Sequence, residues 1–402
     1  MEDVLAIVAP GQGAQTPGFL TPWLELESFA TRLNWLSTVA NIDLAHYGTE
    51  ADAETIRDTA IAQPLLVAAG LLAALELFPS PADGFRHTGV TAGHSVGEIT
   101  AATAVGVLSG EQAMVFVRER GLGMAEASAL RATTMAAVVR GDRDEVLAAI
   151  EAAGCTPANN NGSGQIVAAG TVEQIEALKA NPPKGARIVP LSVAGAFHTE
   201  HMRPGQDRLA RLAPAITTHE PRVTLLSNAD GDAVASGREF LSRLVAQITL
   251  PVRWDLCMQT MTQMGVTGVL ELPPAGTLTG IAKRNMPSVE VFALNTPDQL
   301  AEARAFVDRH SDVEAHHNRV PNVPWMMATS PAKGELEICE GCELDADVPA
   351  GAVVGTVTNT LGAHEVVAEH GGRVVEWLVE TGDIVRPGQP LVRLYPSTED
   401  TL

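Results

Sequence analysis

A glycine-flanked serine, Gly93-His94-Ser95-Val96-Gly97, and a histidine far along the chain, His198, are the residues whose types point most directly to chemistry. The pattern G-x-S-x-G sets a serine on a sharp turn from a strand into a helix. On such a turn the hydroxyl is exposed at the sheet end. The helix start behind it offers free backbone N–H groups and a partial positive charge. Both favour an oxyanion, so the turn suits acyl transfer. The same pattern also occurs in plain glycine-rich turns, so other residues must support the reading. A serine needs a base to take its proton, and histidine is the usual one. There are 11 histidines. His94 is adjacent to Ser95, and neighbours on such a turn diverge. His198, in Ala196-Phe197-His198, follows a predicted strand, and a loop there can bring it back over the sheet end.

The elements that must position these groups are legible in the pattern. Residues 4–9 read as a buried strand, followed by the glycine-rich loop Gly11-Gln12-Gly13-Ala14-Gln15. Residues 61–78, rich in Leu and Ala, predict a long buried helix with Pro64 in its first turn, where proline is tolerated. A strand over 88–92 and a helix over 98–105 flank the serine. A second helix over 110–127 carries Arg118 and Arg120. Between 133 and 193 the order reads β-α-β-β-α-β, a ferredoxin-like insert. Beyond it, α/β units return, with strands over 223–227, 269–272 and 289–294 and helices over 238–248 and 277–284.

Composition bounds the answer. A chain of 402 residues with 46% apolar side chains is globular and long enough for two or three domains. The expected division is an α/β core over 1–132 and 194–311, the insert over 133–193, a linker over 312–329 and a small β domain over 330–402. No run of about 18 apolar residues suggests a membrane span. The first ten residues lack the basic leader of a signal peptide. The four cysteines are widely placed, which argues against a disulfide framework and for the cytoplasm. A net charge of −21 argues against nucleic acid as a partner. The stretch from Pro331 onward holds thirteen acidic and four basic side chains. An anionic substrate would therefore need a local positive charge.

Four motifs appear in order: Gly11-Gln12-Gly13-Ala14-Gln15, Gly93-His94-Ser95-Val96-Gly97-Glu98, Gly195-Ala196-Phe197-His198 and Glu271-Leu272-Pro273-Pro274-Ala275-Gly276-Thr277-Leu278-Thr279-Gly280. Together they resemble the malonyl-CoA:acyl carrier protein transacylases and the related acyltransferase domains of polyketide synthases, over roughly the first three quarters of the chain. The resemblance implies an α/β-hydrolase-like core and a Ser-His dyad. It makes Ser95 the nucleophile and His198 the base. It implies that the backbone carbonyl of Gln247 orients the histidine, where other serine enzymes use an acid. It also implies an oxyanion hole from the N–H groups of Gln12 and Val96. Arg120 falls at the position that binds the substrate carboxylate, two-pronged as lysine cannot. Arg118 fits that position less well. Phe197, just before the histidine, goes with malonyl over methylmalonyl in the polyketide relatives. The Asn159-Asn160-Asn161 stretch reads as turn chemistry and a candidate pocket wall. Pro273 stands where the family usually has Gly. Lys283 and Arg284 are candidate contacts for an acidic carrier protein.

The tail over 350–396 resembles a biotinyl or lipoyl carrier domain. The attachment position falls at Leu361, in Thr358-Asn359-Thr360-Leu361-Gly362, and the nearest lysine, Lys333, is far upstream. No covalent biotin or lipoate is expected. The tail then reads as a docking or self-association module. Cys339-Glu340-Gly341-Cys342 lacks the second ligand pair of a zinc site, and His198-Thr199-Glu200-His201 is not H-E-x-x-H. No metal is expected. The leading expectation is transfer of malonyl from malonyl-CoA, through a malonyl-serine ester, to the phosphopantetheine thiol of acyl carrier protein. The alternatives are a serine hydrolase or thioesterase with water as acceptor, and a scaffold acting through its tail.

Overall fold

Strand β1 (Leu5–Ala9) is buried along its whole length. This is what a continuous apolar run predicts for the centre of a parallel sheet covered on both faces. A computed structural model describes residues 3–311 and 326–396, apart from Pro79, Ser163, Ala194, Glu369 and His370. The chain divides into two compact units, Met1–His317 and Asn318–Leu402.

In the first unit β1 is followed by helices α1 (Glu27–Ala40), α2 (Leu44–Thr49), α3 (Thr59–Leu77) and α4 (Pro81–His87). Strand β2 (Val90–Gly93) then leads into α5 (Gly97–Ala104) and α6 (Gly110–Leu130). The next segment holds β3 (Thr133–Val139), α7 (Arg143–Ala152), β4 (Thr156–Asn160), β5 (Gln165–Thr171), α8 (Val172–Ala180) and β6 (Arg187–Pro190). The chain returns through α9 (Arg203–Leu212), β7 (Thr224–Leu225), α10 (Gly237–Ala246), β8 (Val252–Arg253) and α11 (Trp254–Gln263). It closes with β9 (Gly268–Glu271), α12 (Thr277–Asn285), β10 (Glu290–Ala293) and α13 (Leu300–His310).

Two sheets organise this unit. The main sheet runs β10-β9-β1-β2-β7, and each of its pairs is parallel. The second runs β6-β3-β5-β4-β8. Its first four strands come from 133–190 and pair antiparallel. Strand β8 joins it parallel to β4 through Asn159↔Val252 and Asn160↔Arg253. That edge strand belongs to the later part of the chain, so the segment is sewn into the unit and does not hang from it.

Helix α3 is the long buried helix expected over 61–78, with one correction. At 19 residues it is apolar and long enough to cross a membrane, and most of it is packed inside the unit. It begins at Thr59, capped by the Asp58 carboxylate on Ala60 N, so Pro64 falls in the second turn. A proline there removes the donor for the carbonyl four residues back. That carbonyl, on Ala60, accepts instead from Arg118 Nη1 at 3.1 Å. Arg118 thereby has a structural task.

In the second unit β11 (Met326–Thr329), β12 (Gly334–Ile338), β13 (Asp347–Val348) and β14 (Val353–Asn359) are followed by β15 (Gly362–Val367), β16 (Gly372–Trp377), β17 (Ile384–Val385) and β18 (Pro390–Pro396). They form two four-stranded sheets, β11-β18-β16-β13 and β15-β14-β12-β17. Val354, Val357, Val366, Val374, Leu391 and Leu394 are among the side chains of one shared core. Most of the expected linker lies outside the described residues; Met326–Thr329 pairs with β18. Leu361 stands exposed in the β14–β15 turn. Lys333, remote in sequence, has its carbonyl against that turn, accepting from Asn359 Nδ2 at 2.8 Å.

Candidate active site

Close approach of backbone explains why glycines bracket the serine. A Cβ at Gly93 would lie 1.9 Å from the carbonyl carbon of Gly97, and one at Gly97 would lie 2.2 Å from the oxygen of Ala9. The turn between β2 and α5 is thus pressed against itself and against the end of β1. At its apex Ser95 holds φ +54°, and His198 holds φ +60°. A non-glycine residue in this left-handed region costs about 1–3 kcal/mol and persists only where its surroundings enforce it. Asn228 is part of that enforcement. Its Oδ1 accepts from Ser95 N at 2.8 Å, and its Nδ2 donates to the Gly93 carbonyl at 2.8 Å.

The separated groups meet here. Ser95 Oγ lies 2.7 Å from His198 Nε2, and His198 Nδ1 lies 2.8 Å from the carbonyl oxygen of Gln247. With Nδ1–H donating to that carbonyl, Nε2 is left as an acceptor facing the serine hydroxyl. Arg120 projects from α6 and is 1% exposed. Its Nη1 donates to Gln63 Oε1 at 2.7 Å and its Nη2 to Gln247 Oε1 at 2.8 Å. Nη2 is also 3.4 Å from Ser95 Oγ. Ser95, His198, Gln247 and Arg120 therefore share one site.

Burial sets the charges. It pushes the His198 imidazole down to about 3, and the charge of Arg120 adds to this; the Gln247 carbonyl opposes it. The imidazole is then neutral near pH 7, the form a general base requires. Burial also lowers Arg120, to about 10, with Glu98 opposing, so the guanidinium stays charged. Glu98, in the first turn of α5, is pushed up to about 8 by burial, against the pull of Asn228 N–H, Arg120 and Gln247.

Other expected residues lie nearby with distinct surroundings. Val96 is the N-cap of α5, which puts its N–H in the set a helix start leaves unpaired. The loop of Gln12 abuts the serine turn, since a Cβ at Gly11 would lie 2.9 Å from the His94 oxygen. Gln12 Nε2 donates to the Arg57 carbonyl at 3.0 Å, and its buried Oε1 has no partner among the described residues. Phe197 is buried beside His198. His94 turns elsewhere, with Nε2 3.0 Å from Asn161 Oδ1 and its ring edge-on to Trp254, which accounts for its not serving Ser95. Glu271 receives N–H bonds from Gly276, Leu278 and Thr279 and so secures the start of α12.

Gln63 and Asn228 went unrecognised in the sequence. Neither lies in a motif, and each is buried for a reason visible only across elements. Glu98 stood inside a quoted motif without a role. The signal available was an acid at the start of an Ala-rich buried helix, where it had to find donors.

Residues 7–314 match the family described as acyl transferase domain. The malonyl CoA-acyl carrier protein transacylase of Mycobacterium tuberculosis is 48% identical over 299 residues, covering 74% of this chain and 99% of that protein. The crystal structure titled as MCAT from Mycobacterium tuberculosis superposes with a TM-score of 0.72 at 47% identity, over 75% of this chain and 99% of that one. The solved complex of a type II polyketide-synthase acyl carrier protein with its malonyl-transacylase matches with a TM-score of 0.69 at 29% identity, over 75% and 99%.

Proposed function

The chain belongs to the acyl transferase family, among the malonyl-CoA:acyl carrier protein transacylases, and on that premise we propose how its own residues carry the reaction. It is an acyltransferase that moves malonyl from coenzyme A to the thiol of acyl carrier protein. Malonyl-CoA is a substrate and no resident cofactor takes part. Ser95 Oγ attacks the thioester carbonyl while His198 Nε2 takes its proton. The oxyanion that forms is held by the N–H groups of Gln12 and Val96. Collapse breaks the C–S bond, His198 returns the proton to the coenzyme A thiolate, and malonyl remains as a Ser95 ester. The carrier thiol then attacks the ester with its proton passing to His198, and Ser95 leaves and recovers that proton.

The observation that carries this reading is the buried Arg120 guanidinium set beside a hydrogen-bonded Ser95–His198 pair. A guanidinium there pairs with the free carboxylate of malonyl, which an acetyl group lacks. It supplies the local positive charge that a −21 chain withholds from an anion. Burial is the main cause that lowers His198; binding of the carboxylate offsets the smaller contribution of the Arg120 charge, so the correct substrate strengthens its own base. Phe197 crowds the carbon that would bear a methyl branch.

We read the main sheet as α/β-hydrolase-like and the 133–193 segment as ferredoxin-like; the spatial order β6-β3-β5-β4 supports the latter. The second unit reads as biotinyl/lipoyl-like, a docking or self-association module without an attached group. The proposed location is the cytoplasm, with four free thiols in its favour. Lys283 and Arg284, in the last turn of α12, are the proposed carrier contacts. Incubation with malonyl-CoA, intact mass and peptide mapping test the nucleophile: malonyl on Ser95 is expected and none on the Ser95→Ala chain. Labelling that persists in that variant identifies another nucleophile.

A further inference from the structure

Glu98 is a buried acid to which the steps above give no task. It lies one turn beyond Ser95 on α5 and is 1% exposed. Its Oε1 accepts from Asn228 N and its Oε2 accepts from Gln247 Nε2. Gln247 in turn presents Oε1 to Arg120 Nη2 at 2.8 Å. Its Nε2 is further near the Ser95 carbonyl, at 3.2 Å, and Asn228 Oδ1, at 3.4 Å.

A side-chain amide has two nearly equivalent orientations, and the hydrogen-bond partners choose between them. With Nε2 toward Arg120, donor would face donor and the guanidinium would have to move. Once ionised, above about pH 8, the Glu98 carboxylate is the strongest of the acceptors around Gln247 Nε2, since bonds to an ionised partner are roughly twice as strong as neutral ones. We infer that Glu98 is a positioning residue for substrate selection: its carboxylate fixes the Gln247 amide so that Gln247 Oε1 holds the Arg120 guanidinium where the malonyl carboxylate must bind. This deepens the proposed function and rests on its assignment of Arg120.

An amide in place of the carboxylate exposes the logic. The backbone N–H of Asn228 cannot turn away, so the amide oxygen of Glu98→Gln stays with it. The new NH2 then faces Gln247, which answers by turning its own oxygen inward and its NH2 toward Arg120. The charged and titratable groups around Glu98 are Arg120, Arg243 and Cys257. Burial raises the Cys257 thiol, so it stays protonated. The comparison belongs at pH 9, above the value near 8 of Glu98 and below that near 10 of Arg120.

The test is the ratio of initial rates for loading malonyl and acetyl from their coenzyme A thioesters, on the full chain. This ratio is blind to the fraction of folded protein, which scales both rates alike. Glu98→Gln is expected to lower it by roughly tenfold or more, the effect of losing a hydrogen bond to a charged group. Gln247→Met is expected to do the same, and the double variant to fall no further than Gln247→Met alone. An unchanged ratio in Glu98→Gln, or losses that add in the double variant, overturns the inference. Should the Glu98→Gln chain not accumulate, an unchanged ratio in Gln247→Met overturns it equally. Arg120→Ala separates the two levels. If it loses selectivity and Glu98→Gln does not, only the inference falls. If Arg120→Ala also keeps selectivity, the carboxylate-binding role falls first.

Discussion

Replacing Arg120 by alanine removes the charge proposed to distinguish malonyl from acetyl, and the structure sets the size of the expected effect. Arg120 is 1% exposed, so its interaction with a bound carboxylate is little screened by solvent. Removing one partner of such a buried pair costs about 3–5 kcal/mol, because the remaining charge is left uncompensated. At about 1.4 kcal/mol per factor of ten, malonyl loading slows by roughly two to three and a half powers of ten. Acetyl has no carboxylate to strand. Loss of the guanidinium also relieves one of the influences that lower His198, which favours the base in either reaction. The malonyl-to-acetyl ratio therefore falls by at least about 100-fold. The assay is rapid-quench loading of Ser95 from each radiolabelled thioester, with kcat/KM taken from initial rates. A ratio that stays at the wild-type value refutes the reasoning, whatever happens to the absolute rates. A loss shared equally by both thioesters refutes it too, since that is the mark of a displaced Ser95 or His198.

Three further outcomes follow from the same geometry. His198 is held neutral by burial and Arg120, and its charged form appears only toward pH 3; labelling of Ser95 by a neutral fluorophosphonate is expected to hold its rate from pH 8 to about 5, whereas an ordinary histidine would halve it near 6.5. An acid limb centred near 6.5 contradicts this. Gly97→Ala sets a Cβ 2.2 Å from the Ala9 oxygen, backbone that cannot step aside, so destabilisation of more than about 3 kcal/mol is expected from urea midpoints, and a midpoint within error of wild type rejects the packing argument. Phe197→Ser opens space beside His198 and is expected to raise methylmalonyl over malonyl loading by roughly tenfold, the worth of a methyl in a pocket. No change in that preference removes Phe197 from the specificity assignment.

Short-range pattern was enough for much of the scaffold. The apolar run at Leu5–Ala9, the Ala-rich α5 and the alternation of helix and strand between Thr133 and Pro190 each follow from local periodicity and turn chemistry. Helices α1, α2, α4, α9, α11 and α13 were not read from the sequence; α9 is mostly polar along its length, with only Gly205 and Leu209 buried. The start of α3 was misplaced because the Asp58 cap precedes the apolar stretch that drew attention.

At the site the division is sharper. The residue order alone placed a serine on a sharp turn at a helix start; the structure adds the reason for its glycines, since a Cβ at position 93 or 97 would meet backbone. Motif resemblance added the partners. Only the folded chain decided which amide orientation Gln247 takes, why Ala60 tolerates Pro64, and that a buried carboxyl lies behind the guanidinium. Those facts depend on which donors and acceptors meet across elements far apart in the chain. Sequence records the donors and acceptors, but pairing among them is decided by a packing that leaves buried polar groups no water to fall back on.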